Sequence, residues 1–161
     1  MDVSFFYRNF ARNGYSMKQQ EEKYSKWVSC WGNATSITDR RECTYAKDLT
    51  LRYPIRMPFT GSKLRFRFSN LTGTEPIAID KAFVAREHEE RVTQHTPITF
   101  GGNVSTSIAP GKEIESAETT FHVEAGETIT VSFYLKDFTQ MNAGTLITGP
   151  LSKGQYSYGD F

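Results

Sequence analysis

The chain has 161 residues, which suits one domain and leaves little room for two. Its 19 basic and 18 acidic side chains give a net charge of +1, so electrostatics offers no reason to expect nucleic acid or an anionic membrane as a partner. No apolar run reaches the roughly 18–20 residues that span a bilayer. The N-terminus carries an acid, Asp2, directly after Met1 and lacks the unbroken apolar stretch of a secretory signal. We therefore expect a cytoplasmic protein, or one whose secretory signal has been removed.

Residues 1–25 are predicted to form an N-terminal arm, irregular or with a short helical turn. Four aromatic residues, Phe5, Phe6, Tyr7 and Phe10, come first, and the polar stretch "SMKQQEEKYSK" follows. Full burial of one such ring contributes roughly 2 kcal/mol, so all four are costly to leave in water. The arm lies either over its own domain or against another domain, and we favour the second arrangement.

Residues 26–161 are predicted to form an all-β domain. "KLRFRFS" at 63–69 and "TITVSFYL" at 128–135 alternate apolar and polar residues, as strands with one buried face do. Weaker strand signals lie at 27–33, 49–57, 77–86, 97–100, 104–108, 119–123, 146–151 and 155–158. Turn signals separate them at 60–62, 70–76, 100–103, 109–112 and 124–127. Eight to ten short strands at this spacing predict an antiparallel, jelly-roll-like β-sandwich.

The stretch "LRFRFSNLTGTEPIAIDKAFVA" at 64–85 is predicted to be a strand, a turn and a second strand. Asn70 and Gly73 supply the turn, because Asn tolerates left-handed backbone and Gly has no Cβ. Pro76 begins the next strand, where its missing N–H costs least. We interpret this stretch as structural.

No residue pattern points to catalysis, a metal or a cofactor. The chain has neither Gly-x-Ser-x-Gly nor Gly-Asp-Ser, and the seven-residue spacing of His88 and His95 fits no zinc motif. His122 alternates with apolar neighbours, so we expect it on the solvated face of a strand. Cys30 and Cys43 form one disulfide or remain two thiols, and a reducing compartment favours thiols.

Trp27 and Trp31 are the first candidate surface. They are four residues apart, which on a regular strand puts both on the same face. Paired indole rings stack on sugars, plug the end of a sandwich or fill an interdomain seam. We favour the core or the seam.

Four arginines, Arg52, Arg56, Arg65 and Arg67, are the second candidate surface. If the segments 49–57 and 63–70 pair with their apolar sides matched, these side chains share the opposite face. Like charges across a strand pair are destabilising, so carboxylates from a neighbouring strand or another domain should offset them. A solvated face with internal ion pairs is the favoured interpretation, and a docking surface is the alternative.

Read in order, blocks of this sequence resemble the N-terminal β-sandwich that precedes the catalytic domain in one branch of the GDSL/SGNH esterases. The blocks cover residues 26–161, and it is their order and spacing that makes them specific. They are Trp27-Val28-Ser29-Cys30-Trp31, Leu51-Arg52, Gly61, Arg65 to Asn70, Gly73 to Pro76, Phe83-Val84-Ala85, "ITFGGNVSTSIAPGKEIES", "VEAGETITVSFYL" and "QYSYGDF".

The resemblance implies a non-catalytic accessory domain that packs on an SGNH catalytic domain, in cis or as a separate chain, and helps shape its substrate cleft. Acylated carbohydrate is a common substrate class in such relatives. The family's Gly-Asp-Ser block, oxyanion Gly and Asn, and Asp-x-x-His pair are missing here, and Gly159-Asp160 is followed by Phe161 rather than Ser. An independent carbohydrate-binding module is the alternative, with Trp27, Trp31, Tyr134, Tyr156 and Tyr158 as its candidate platform.

Overall fold

The computed structural model describes the backbone of residues 2–10, 25–32, 44–88, 91–141 and 154–160, and the side chains of 26–32, 45–86, 95–141 and 154–160. These residues contain strands and turns and no helix. No membrane-crossing helix, judged by length and apolar character, occurs in this part of the chain.

The described residues form fourteen strands, and every pairing between them is antiparallel. In chain order they are β1 Asp2–Phe10, β2 Ser25–Trp31, β3 Thr44–Ala46, β4 Leu49–Arg56, β5 Gly61–Ser69, β6 Ile77–Ile79, β7 Lys81–His88, β8 Arg91–Pro97, β9 Thr106–Ile108, β10 Glu113–Glu115, β11 Thr119–Val123, β12 Thr128–Leu135, β13 Thr139–Met141 and β14 Gln155–Tyr158.

Two five-stranded sheets make up most of the domain. The first sheet has the order β10–β5–β1–β2, with β11 pairing to β5 beside β10, and the second sheet has the order β14–β4–β12–β7–β8. The remaining strands of the described ranges form the short pairs β13–β3 and β6–β9. The predicted all-β antiparallel sandwich is confirmed.

The hydrophobic core lies between the two sheets. Leu64, Phe66 and Phe68 of β5 are fully buried on one side, and Val131 and Phe133 of β12 are buried on the other. The rings of Phe68 and Phe133 meet edge to face across the core, with centroids 5.8 Å apart. In both strongly alternating segments the apolar residues therefore face the core, as predicted.

The turn after β5 is fastened by a buried amide. Asn70 is 2% exposed, and its Nδ2 donates hydrogen bonds to the carbonyl oxygens of Glu75 at 2.9 Å and Ile108 at 3.0 Å. A Cβ on Gly73 would lie 1.8 Å from Asn70 Oδ1, so glycine is needed there for space. This segment is structural, as expected.

The N-terminal arm differs from its prediction. Asp2–Phe10 is not irregular or helical but a strand, β1, which lies between β5 and β2 in the first sheet. Pairing gives the long inner edge of β5 a hydrogen-bonded neighbour that it would otherwise lack. Residues 11–24, where the helical turn was expected, and the predicted strand at 146–151 lie outside the described residues.

Candidate functional site

The two tryptophans do not share a face. Along the β1–β2 ladder, Trp31 is opposite Phe5 and Ser29 is opposite Phe6, so Cys30 is an extra residue in β2. Such a bulge shifts the alternation by one and turns the following side chain to the other side of the sheet. Trp31 accordingly packs against the core, whereas the ring of Trp27 lies under the Arg65 guanidinium, 4.3 Å away. The same-face prediction was wrong because the sequence does not show the bulge.

The four arginines do not share a face either. β4 and β5 belong to different sheets, because the four residues between Arg56 and Gly61 carry the chain from one sheet to the other. Both strands still turn their apolar sides to the common core. Arg52 and Arg56 therefore lie on the outer side of the second sheet, and Arg65 and Arg67 on the outer side of the first. The predicted four-arginine face is wrong.

The arginines of the first sheet have carboxylate partners on a neighbouring strand, as predicted for them. Arg65 lies 3.3 Å and Arg67 3.6 Å from the two carboxylate oxygens of Glu115 in β10. Lys63, on the same side of β5, pairs with Glu118. This part of the predicted charge compensation is present within the domain.

Arg52 and Arg56 have a different environment. Arg52 is opposite Ser132 of β12 and Gln155 of β14, and Arg56 is opposite Thr128, so their cross-strand neighbours are uncharged. No carboxylate of the described residues forms an ion pair with either guanidinium. Arg52 Nε is buried without a hydrogen-bond acceptor. A buried unsatisfied donor costs about 1–3 kcal/mol, and more when charged.

The aromatic residues predicted to make contacts in the arm belong to β1. Their backbone positions are set by the ladder: Phe5 is opposite Phe66, Phe6 is opposite Arg65 and Tyr7 is opposite Leu64. Phe10 is opposite Ser25 of β2. The side chains of β1 lie outside the described residues, so their docking on another domain stays a prediction.

A cleft bordered by tyrosines lies where β3, β4, β13 and β14 meet. Strand β14 is an edge strand, and Tyr156 and Tyr158 are 70% and 73% exposed on it, with ring centroids 6.3 Å apart and ring planes perpendicular. The cleft has a volume of about 350 Å³. We call it the tyrosine cleft, and its lining is Tyr45, Ala46, Lys47, Leu49, Leu51, Met141, Tyr156 and Tyr158.

The segment next to the tyrosine cleft is fastened to the domain. Gly159 N donates to Asp48 O at 2.7 Å, Thr50 Oγ1 donates to Gly159 O at 2.6 Å, and Asp160 pairs with Lys81. Tyr134 OH donates to Asp48 Oδ1 at 2.7 Å. That hydrogen bond raises the pKa of Tyr134 from 10.0 to about 12, because the neutral phenol is the form that donates. We call these contacts the clamp, and they fix the position of β14.

The titratable side chains elsewhere are held in local networks. His122 is exposed, as predicted, and its Nε2 lies 2.7 Å from Glu124 Oε1. The hydrogen bonds from His122 and Thr60 lower the pKa of Glu124. The His95 ring contacts Phe83 edge to face at 6.2 Å, and the side chain of His88 lies outside the described residues. Among the residues described, no three acidic, His or Cys side chains are grouped for a metal ion.

Cys30 is held in a half-buried position against the core. Burial raises the pKa of its thiol to about 11, so the reactive thiolate is scarce at neutral pH. Cys43 lies outside the described residues, and its pairing with Cys30 stays undecided.

Sequence reasoning missed most of the tyrosine cleft. It singled out Tyr156 and Tyr158 only as platform candidates, and it did not group Tyr45, Lys47 or Met141 with them. The "QYSY" alternation at 155–158 was the available signal, because on an edge strand it places both tyrosines on one side. The partners come from strands far apart in sequence, so no local pattern joins them.

Comparison with protein-family models and with curated proteins finds no match to this chain.

Proposed function

We propose that this chain is the non-catalytic N-terminal accessory domain of an SGNH/GDSL-type esterase acting on acylated carbohydrate. The sandwich packs on the catalytic domain, in cis or as a separate chain, and the tyrosine cleft forms part of the wall of the substrate cleft. The ordered motifs of the sequence suggest the family, and the tyrosine cleft is the single structural observation that carries the proposal.

The exposure of Tyr156 and Tyr158 supports a contact role. Both rings stand on a strand that pairs with β4 and is clamped at Gly159, so they are presented in fixed positions. Tyrosine combines a large apolar face with a hydroxyl, which suits sugar rings and protein interfaces. A cleft of about 350 Å³ is within the range of small-molecule sites.

The position of Asp160 also supports the proposal. Gly159 and Asp160 are anchored to Asp48, Thr50 and Lys81 beside the tyrosine cleft. A catalytic domain joined after this segment would be held next to the cleft. Two adjacent surfaces of this kind form a shared substrate cleft without any catalytic group on the sandwich.

The independent carbohydrate-binding module is the second candidate, and the same exposed tyrosines favour it. A module that binds sugar through its tryptophans lacks support, because Trp31 packs against the core and Arg65 covers the ring of Trp27. The two candidates differ in what the sandwich does to an esterase. An accessory domain changes turnover, whereas a module binds polysaccharide alone.

The experiment begins with the coding DNA beyond residue 161 and in the neighbouring genes, where we expect a Gly-Asp-Ser block. The encoded catalytic domain is assayed with and without this chain, on acetylated xylan and on p-nitrophenyl acetate. We expect the chain to raise kcat/KM on acetylated xylan. Replacing both Tyr156 and Tyr158 with Ala should then lower it about thirtyfold, since aromatic contacts contribute about 1 kcal/mol each.

Phe59→Ala is the matched control. Phe59 is also an exposed aromatic residue, at 43%, but it follows the far end of β4 from the cleft. It should leave kcat/KM on acetylated xylan within about twofold of wild type. If the chain changes neither substrate's turnover yet is retained on a xylan gel through its tyrosines, the binding module is correct. If it does neither, or if no esterase is encoded nearby, the accessory role is wrong.

A further inference from the structure

We propose that the sandwich docks through the outer side of the second sheet around Arg52, and that the docked surface places an Asp or Glu carboxylate on the Arg52 guanidinium. The surface comprises Arg52, Arg56, Phe83, Ser132 and Gln155, and we call it the Arg52 face. Naming the esterase catalytic domain as the partner rests on the proposed function.

The two outer sides of the sandwich differ in how their charges are balanced. On the first sheet, Glu115 lies beside both Arg65 and Arg67, and Glu118 pairs with Lys63. On the second sheet, Arg52 and Arg56 form no ion pair with any described carboxylate. Among the described residues, each of these three cations of the first side therefore has a carboxylate partner, whereas Arg52 and Arg56 of the second side have none.

The side chain of Arg52 also contains one hydrogen-bond donor that lacks a partner. Its Nε–H is buried without an acceptor, and almost all buried donors in folded proteins have one. Its cross-strand neighbours Ser132 and Gln155 are uncharged. The two Nη groups of Arg52 are not among the buried atoms that lack a partner, and a planar guanidinium presents such groups in a fork that matches the two oxygens of a carboxylate. A partner carboxylate on the Nη groups would balance the charge.

The surroundings of Arg52 suit a protein surface. Ser132 and Thr130 of β12 are 6% and 3% exposed, so they form a floor flanked by Arg52 on one side and half-buried Phe83 on the other. Arginine and aromatic residues around a neutral floor are the usual composition of an interface centre. A free phosphate would use the guanidinium but not this floor.

Strand β14 joins the Arg52 face to the tyrosine cleft. Gln155 is opposite Arg52 and Ser157 is opposite Thr50, whereas Tyr156 and Tyr158 are opposite Leu51 and Leu49. Because side chains alternate across a strand, the first pair borders the Arg52 face and the second borders the cleft. A catalytic domain docked on the Arg52 face would therefore reach the rim of the tyrosine cleft.

The test measures binding of this chain to the separately expressed catalytic domain by isothermal titration calorimetry. We expect Arg52→Gln to weaken binding about tenfold or more, because it leaves the partner carboxylate unpaired. Arg52→Lys should rescue it only in part, since an ammonium cannot form the fork. Arg65→Gln, the matched control on the other sheet, should stay within about twofold of wild type. Arg52→Glu should abolish binding, and an Asp or Glu to Lys exchange on the partner should restore it.

Thermal unfolding of the chain alone separates docking from folding. Arg52→Met should leave the Tm of the isolated chain unchanged or higher, because it removes an unsatisfied buried donor. A clear fall in Tm would make Arg52 a structural residue and overturn the inference. Equal binding by the Arg52→Gln and Arg65→Gln variants would overturn the docking face and leave the accessory role intact. No binding by the wild-type chain would overturn both the docking face and the accessory role. If addition of phosphate abolishes binding and the Arg52 substitutions do not, Arg52 does not carry the docking and an anion site lies elsewhere.

Discussion

At the scale of single residues, Asn70 is a buried side chain that joins two separate pieces of backbone. Its amide donates to the carbonyl oxygens of Glu75 and Ile108, and so joins the turn after β5 to strand β9. The sequence identified Asn70 as a turn residue because of its local preference for such positions. Its bond to Ile108 spans 38 residues of chain, and no local pattern shows it.

Asn70→Ala should therefore lower the free energy of unfolding by about 2 kcal/mol, since the buried carbonyl group of Ile108 and the part-buried one of Glu75 lose their donor. Urea unfolding followed by tryptophan fluorescence measures the change. Asn103→Ala is the control, because Asn103 is an exposed turn residue and should change stability by less than about 0.5 kcal/mol. Equal effects of the two substitutions would mean that the amide of Asn70 does not carry the turn.

At the scale of strands, sequence reasoning succeeded where one face decides the outcome. For strands β5 and β12 the sequence predicts correctly which side chains face the core, because Phe66, Phe68 and Phe133 must all be buried. Sequence reasoning failed where the arrangement depends on which strands pair with each other. The alternation of β4 and β5 is the same whether they pair in one sheet or face each other across a core, and the bulge at Cys30 is decided by the β1–β2 register. Candidate residues were thus identified, but not their grouping.

Ser116 lies where β10 gives way to β11 along the same edge of β5. Its Oγ accepts a hydrogen bond from Phe66 N at 3.0 Å, and its own N donates to Phe66 O at 2.8 Å. The hydroxyl thus fills a gap between two short strands that pair with β5. We expect Ser116→Ala to destabilise the fold by about 1–3 kcal/mol, because the buried N–H of Phe66 loses its acceptor.

Amide hydrogen exchange provides the check for Ser116. The Phe66 amide should exchange faster in the Ser116→Ala variant, while amides of the second sheet keep their relative protection. Ser107→Ala, at an exposed position of β9, serves as the comparison. An unchanged Phe66 amide would show that the hydroxyl is dispensable.

At the scale of the whole molecule, the two sides of the sandwich differ, and the clamp at β14 marks the end of the domain that we propose to be functional. On the first sheet Arg65 and Arg67 have a carboxylate partner in Glu115, whereas the second sheet presents Arg52, which has none among the described residues, beside the strand that carries the exposed tyrosines. Asp48 holds this end together, because its carboxylate accepts from Tyr134 and its carbonyl oxygen accepts from Gly159. The stability of that end should therefore depend on the protonation of Tyr134.

The pH dependence follows from the direction of the Tyr134 shift. Its pKa is raised from 10.0 to about 12 by the hydrogen bond to Asp48, so the folded chain keeps the phenolic proton at pH values where the unfolded chain loses it. The stabilisation is complete below pH 10 and is lost as pH rises towards 12. Urea unfolding of wild type and Tyr134→Phe at intervals from pH 8 to 12 tests this. The stability difference between them should shrink above pH 10, because phenylalanine has no proton to lose, and a constant difference would show that Asp48 does not hold the phenol in its neutral form.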